Sequence, residues 1–224
     1  MNPGSLILRD AELLLRAEGQ HATGSERLPW RSLLAWIACA GFLYGAAMGS
    51  SGSQAQQSLY SGLKVPLMLA ISSALTLPNF FVVNTLLGLR DDFAEACRGL
   101  MSMQATMGLA LLSMAPLVLF GYACGIDYQF AKVLNGLMFL LASVCGQITL
   151  YRHYRVLIER DPRHRVGMFA WLALYTLIAI QMAWVLRPFI GNPDLPVSFF
   201  RADAFQGTAY ENLFQILIDS LSFD

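Results

Sequence analysis

The chain reads as all-α: a polytopic transmembrane helical bundle of five spans, N-terminus in and C-terminus out, with amphipathic helices at both termini. Three observations predict this. Apolar stretches at 30–48, 65–89, 101–122, 130–151 and 166–186 are free of charge in their central parts. Each is long enough to cross ~30 Å of hydrocarbon at ~1.5 Å of helix rise per residue. Charged residues make up only 13% of the chain and apolar ones 56%, a composition of the membrane class. Finally, the basic residues are sorted by side. Eleven of them (Arg9, Arg16, Arg27, Arg31, Arg90, Arg98, Arg152, Arg155, Arg160, Arg163 and Arg165) lie before span one, between spans two and three, or between spans four and five. Four (Lys64, Lys132, Arg187 and Arg201) lie in the other segments. Lys and Arg are retained on the cytoplasmic side during insertion, which sets the orientation.

The organisation follows: 1–29 a cytoplasmic segment, 30–187 the five-span domain, 188–224 an outer-face tail. Residues 5–18 (SLILRDAELLLRAE) fit an amphipathic helix, with Leu6, Ile7, Ala11 and Leu14 on one face and Arg9, Asp10, Glu12 and Arg16 around the rest. It suits either the membrane interface or a docking partner. The basic, apolar and small-residue order at 27–53 imitates a signal peptide. The long acidic lead before it argues that the first span is retained.

Span one carries Gly41, Gly45 and Gly49 four residues apart, a stripe that lets a second backbone approach. Its partner, internal or in another protomer, is left open by the sequence. Residues 50–62 read as an uncharged outer loop. Span two opens with Lys64 and Pro66 and holds Pro78 and Asn79 well inside. A proline there removes an amide donor and clashes with the preceding turn, so a kink is expected at 76–79, with Asn79 rebonding the freed carbonyls. Ser72, Ser73, Thr76, Asn79, Asn84 and Thr85 make it the most polar span, and so the expected centre of the bundle.

The inner loop 89–98 reads as a solvated connector. Tyr151, Arg152 and Arg155 close span four with the aromatic and basic residues that anchor a helix at anionic headgroups. His153 and His164 have no third ligand beside them, so no metal site is expected. Cys39, Cys97, Cys124 and Cys145 are scattered without C-x-x-C spacing and read as small apolar fillers. At the outer level Lys64, Asp127, Lys132 and Arg187 are candidates for one polar network, with Arg187 bonding a carboxylate to pin the tail. Asp127 is the nearest acid, and Asp194 or Asp203 could fold back. Prolines 188, 193 and 196 shape the tail. Thr208-x-x-Glu211 is a capping box opening a short helix on which Tyr210, Phe214, Leu217 and Leu221 align.

The strings FLYGAAMGS, LYSGLKVPLML, LPNFFVVNTLLG, QMAWVLRPFIGNP and FFRADAF…AYENLF resemble an uncharacterised family of bacterial five-span integral membrane proteins. The resemblance covers 42–214 and is most specific at the Trp184–Pro193 string. More remotely, the five-span plan with its Gly-containing inner loop is similar to the Yip-domain superfamily. That similarity implies a trafficking or membrane-organising role, while the nearer family carries no activity to transfer.

Function is therefore read from architecture. Zero net charge gives no basic footprint for nucleic acid. No nucleophile, acid–base pair or metal constellation is evident, so neither catalysis nor a cofactor is expected. Asn79, Asn84, Gln104, Asn135, Gln147 and Gln181 are the intramembrane amides, and such groups commonly hydrogen-bond helices together. Ion-driven transporters place ionisable groups near the midplane, and these spans do not. The expected role is a non-catalytic subunit of the bacterial cytoplasmic (inner) membrane. It would scaffold or stabilise a larger complex through the glycine face and the amphipathic termini. Its partners would be lipids and other subunits or a second copy. The alternative is a small oligomeric channel or transporter using the kinked second span.

Overall fold

The computed structural model describes residues 9–14, 28–51, 54–191 and 196–211. Five helices among them are long and apolar enough to cross a membrane. They are α1 (Trp30–Gly49), α2 (Ala55–Leu86), α3 (Phe93–Ala123), α4 (Tyr128–Arg160) and α5 (His164–Val185), with a single 3₁₀ turn, Arg90–Asp92, before α3. No strand occurs among the described residues. The five crossings alternate between two ends. The basic end holds the start of α1 and the α2–α3 and α4–α5 connections; the tail end holds the rest.

Three helices outrun their apolar stretches. At 32 residues α2 is about 48 Å long, well beyond the ~30 Å of a hydrocarbon core. It begins at Ala55, so most of the segment expected as the 50–62 loop is helix. Gln56 donates to Tyr60 one turn on, at 2.8 Å, and supports that extra length. Helix α2 stops at Gly88, where φ is +74° and the amide of Leu89 reaches back to the Asn84 carbonyl at 2.8 Å. Gly125, at φ +75°, ends α3 in the same way, with Ile126 bonding Gly121 at 3.4 Å. A left-handed residue after the last turn suits glycine because no Cβ opposes it.

The helices pack in an arc, α5–α2–α1–α3–α4. Helix α1 separates α2 from α3 over much of their length, and the sequence neighbours α4 and α5 touch little. The centre is α3, not α2: 56% of the α3 membrane stretch is buried, against 39% of α2 and 22% of α5. The reason lies in where the polar groups of α2 go. Ser73, Thr76, Asn84 and Thr85 donate to the carbonyls of Leu69, Ser72, Phe80 and Phe81, four residues back on their own helix. Side chains satisfied that way need no central position.

The expected rebonding of the freed carbonyl by Asn79 is not found. Helix α2 runs unbroken through Pro66 and Pro78. Pro78 frees the Ala74 carbonyl, whereas Asn79 reaches Leu75, and only at 3.5 Å. Both Pro78 and Asn79 are exposed on the apolar surface.

Two apolar clusters hold the arc. One joins α1, α2 and α3 around Leu33, Tyr44, Val65, Leu69 and Leu111. The second lies toward the basic end, around Phe80, Leu150, Tyr154 and Trp171. There the Phe80 and Trp171 rings meet edge-on at 5.2 Å and Trp171 stacks on Tyr175 at 5.6 Å. Of the N-terminal amphipathic segment, 9–14 is helical and buries Leu14 in the first cluster; the remainder lies outside the described residues.

Candidate functional site

The glycine stripe of α1 faces α2 of the same chain. A Cβ on Gly41 would lie 3.4 Å from the Pro66 nitrogen, and one on Gly49 would lie 2.7 Å from the Gln57 carbonyl oxygen. On Gly45 it would run into the Ser61 carbonyl and lie 2.9 Å from the Gly62 Cα. The stripe is filled by α2, glycine against glycine at 45 and 62. It is therefore not a surface for another subunit, and the expectation that it serves one is corrected.

Bringing α2 this close positions a polar stripe one turn apart, Gln57, Ser61 and Lys64, under the tail. Gln57 donates to the Phe189 carbonyl at 3.1 Å, Ser61 donates to the same oxygen, and Lys64 donates to the Pro188 carbonyl at 2.6 Å. Lys64 is fully buried, with its ammonium 5.1 Å from the centre of the Phe199 ring. Arg187 stacks 3.2 Å over the Trp184 ring and pairs with Asp203 at 2.9 Å. Burial lowers the pKa of its guanidinium, against the opposing effect of Asp203.

The remaining tail contacts reach α5. The Ala209 amide donates to the Gln181 side chain at 3.0 Å, and the Tyr210 hydroxyl donates to the Leu177 carbonyl. Thr208 and Glu211 form the reciprocal capping box, at 2.8 and 3.1 Å. The tail thus lies across the tail end from α2 to α5. Phe214, Leu217, Leu221 and Asp194 lie outside the described residues.

Asp127 and Lys132 do not join this network. Asp127 caps α4 by accepting the Phe130 amide at 3.2 Å, and Lys132 sits 4.7 Å over the Tyr128 ring. A short polar residue just before a helix is drawn to the free amides of its first turn, which takes Asp127 away from Arg187.

Asn135 is the junction of three helices. It accepts from Tyr44 of α1 at 2.9 Å and donates to Tyr122 of α3 and to Ala131 of its own helix, both at 2.8 Å. Tyr122 continues to the Met48 carbonyl at 3.0 Å. Gln104 joins α3 to Ser73 of α2. Asn84 bonds within its own helix, and Gln147 is exposed.

At the basic end the α2–α3 connection ties elements together and is not a solvated connector. Asp92 meets His164 at 3.0 Å, Glu95 meets Arg160 at 3.1 Å, and Arg98 donates to the Leu28 carbonyl at 2.7 Å while lying 4.8 Å over Trp30. Arg163 bonds the Leu87 carbonyl at 2.8 Å and clamps Asp161 at 2.6 Å. Donation from the Arg163 side chain, then from its amide, holds the Asp161 carboxyl down at about 2. His153 binds the Thr149 carbonyl at 2.9 Å. No group of three His, Cys, Asp or Glu side chains converges among the described residues, and all four cysteines are free.

Between α4 and α5 opens a cleft of about 430 Å³. Met68, Leu69, Met103 and Met107 form its floor, and Phe189 of the pinned tail reaches its tail end. Its walls are largely apolar, relieved by Ser143, Gln147, Tyr175 and Thr176. Nothing in the sequence marked this cleft, since its lining is ordinary apolar membrane-helix sequence and only helix packing makes it concave. Gln57 and Ser61 were also missed, although their four-residue spacing with the Lys64 face was visible.

Comparison with family models, with curated proteins and with solved structures returned no match.

Proposed function

We propose that the chain is a non-catalytic integral membrane subunit that scaffolds or stabilises a larger complex, with the α4–α5 side as its contact surface. The observation that supports this reading is the distribution of burial. Helix α5 has 22% and α4 33% of its membrane stretch buried inside the chain, and between them they leave a concave apolar opening. Exposed in its lining are Leu140 and Ile180. Concave apolar surface at a bundle edge gives a neighbouring helix close packing, which drives association where the hydrophobic effect cannot. The polar and charged groups at both ends cross-link the chain to itself, as expected of a rigid platform. The glycine face is already occupied, so contact shifts to this side.

We place the complex in a bacterial cytoplasmic membrane as part of this proposal, and the excess of Lys and Arg at the basic end supports an orientation with those loops inside and the tail outside. Gentle extraction from native membranes, followed by quantitative mass spectrometry, tests the role. A partner polypeptide in fixed stoichiometry is expected. Recovery of the chain alone, as a homo-oligomer that conducts water or solutes, contradicts it and supports the channel reading.

A further inference from the structure

We propose that the α4–α5 cleft and the basic face of α4 together bind one anionic phospholipid, its phosphate at Arg152 and Arg155 and an acyl chain in the cleft. A groove along α4 is lined by Val144, Gln147, Ile148, Tyr151, Arg152 and Arg155. Gln147 lines both this groove and the cleft, so the two adjoin at its side chain. From Arg155 back to Gln147 is eight residues, about 12 Å of helix, leading from the charged end into the apolar part of the bundle. The order is that of a lipid: anion acceptor, aromatic and amide belt, then hydrocarbon.

The lining selects the occupant of the cleft. It is apolar apart from Ser143, Gln147, Tyr175 and Thr176, which suits hydrocarbon, and the cleft is open along its side, where an acyl chain can enter. A partner helix packs on the exposed rim residues Leu140 and Ile180, with the lipid beneath.

Charge selects the headgroup. Arg155 is 72% exposed and makes a 3.0 Å i,i+4 pair with Glu159, a surface contact of little worth that a phosphate can displace. An arginine fork matches phosphate geometry. With Arg152 beside it, the groove is lined by two guanidinium groups, which favours a lipid with net negative charge over a zwitterionic one.

The full-length protein is reconstituted in vesicles of equimolar phosphatidylglycerol and phosphatidylethanolamine, extracted, and its retained lipid counted by native mass spectrometry. Retention of one phosphatidylglycerol per chain is expected. The double variant R152Q/R155Q should lower that retention about tenfold. Ser143→Phe, or Ala179→Phe from the opposite wall, should remove it with both arginines intact. Thermal unfolding identifies which of the two variants is folded, and the surface-located arginine variant decides the matter if neither is. Equal retention of the two lipids, or unchanged retention in the arginine variant or in a folded cleft-filled variant, would overturn the proposal and leave the arginines as general headgroup anchors. Such a failure leaves the partner-binding role untouched, because that role is read from copurified protein.

Discussion

Arg187 shows how a single side chain can commit a whole segment. Its guanidinium is sandwiched between the Trp184 ring and the Asp203 carboxylate, and it is the residue from which the tail departs. A planar, delocalised cation satisfies both contacts at once, while an ammonium cannot stack and fork together. Arg187→Lys should therefore loosen the tail although charge is conserved. Limited proteolysis would show faster cleavage within 199–208, with the five-helix core intact. Equal protease resistance in the two proteins would mean that Lys64, Ser61 and Gln57 hold the tail without help. The sequence had singled out Arg187 and offered Asp203 among its acids. Choosing between Asp127 and Asp203 needed the local competition at the start of α4, where Asp127 is drawn to a free amide.

Among elements, the decisive contact is α1 against α2, because it determines where the other helices can go. Gly45→Ala is expected to be severe for so small a change. The new methyl meets backbone at Ser61 and Gly62, which cannot rotate away as a side chain can. Overpacking of this kind costs about 1–3 kcal/mol and sometimes more, so thermal stability in detergent should fall clearly. Gly136→Ala, where a Cβ would have nothing within 4 Å, should be neutral. Equal stability of the two variants would refute the close packing.

Asn135→Leu removes the junction of α1, α3 and α4 and leaves the Tyr44 hydroxyl without its acceptor. A loss of about 1–2 kcal/mol is expected, given the usual worth of an interhelical bond in a membrane. A stability equal to that of the unaltered protein would show the network to be incidental.

Helix existence and order were legible from apolar length, and the glycine stripe from its spacing. Which helix is central was not legible. Polarity pointed to α2, yet its hydroxyls and amides bond largely back to their own helix, and α3 takes the centre with small and apolar residues such as Ala105, Gly108 and Leu111. Hydrogen bonds that a helix makes to itself carry no signature in the sequence distinct from those made to a neighbour.

For the whole molecule, the arrangement is asymmetric: one side of the arc is closed by α1 and the other opens between α4 and α5. Ionic and cation–π contacts fasten both ends, so the opening belongs to a fixed frame. The claim that this side makes the contacts is tested most directly by a photo-crosslinking amino acid placed, in native membranes, at Leu140 and Ile180 on the cleft rim and at Leu43 on the exposed face of α1. Adducts to one and the same copurifying partner are expected from positions 140 and 180, and none to it from position 43. Adducts to that partner from position 43 alone, or only to a second copy of the chain from all three, would contradict it.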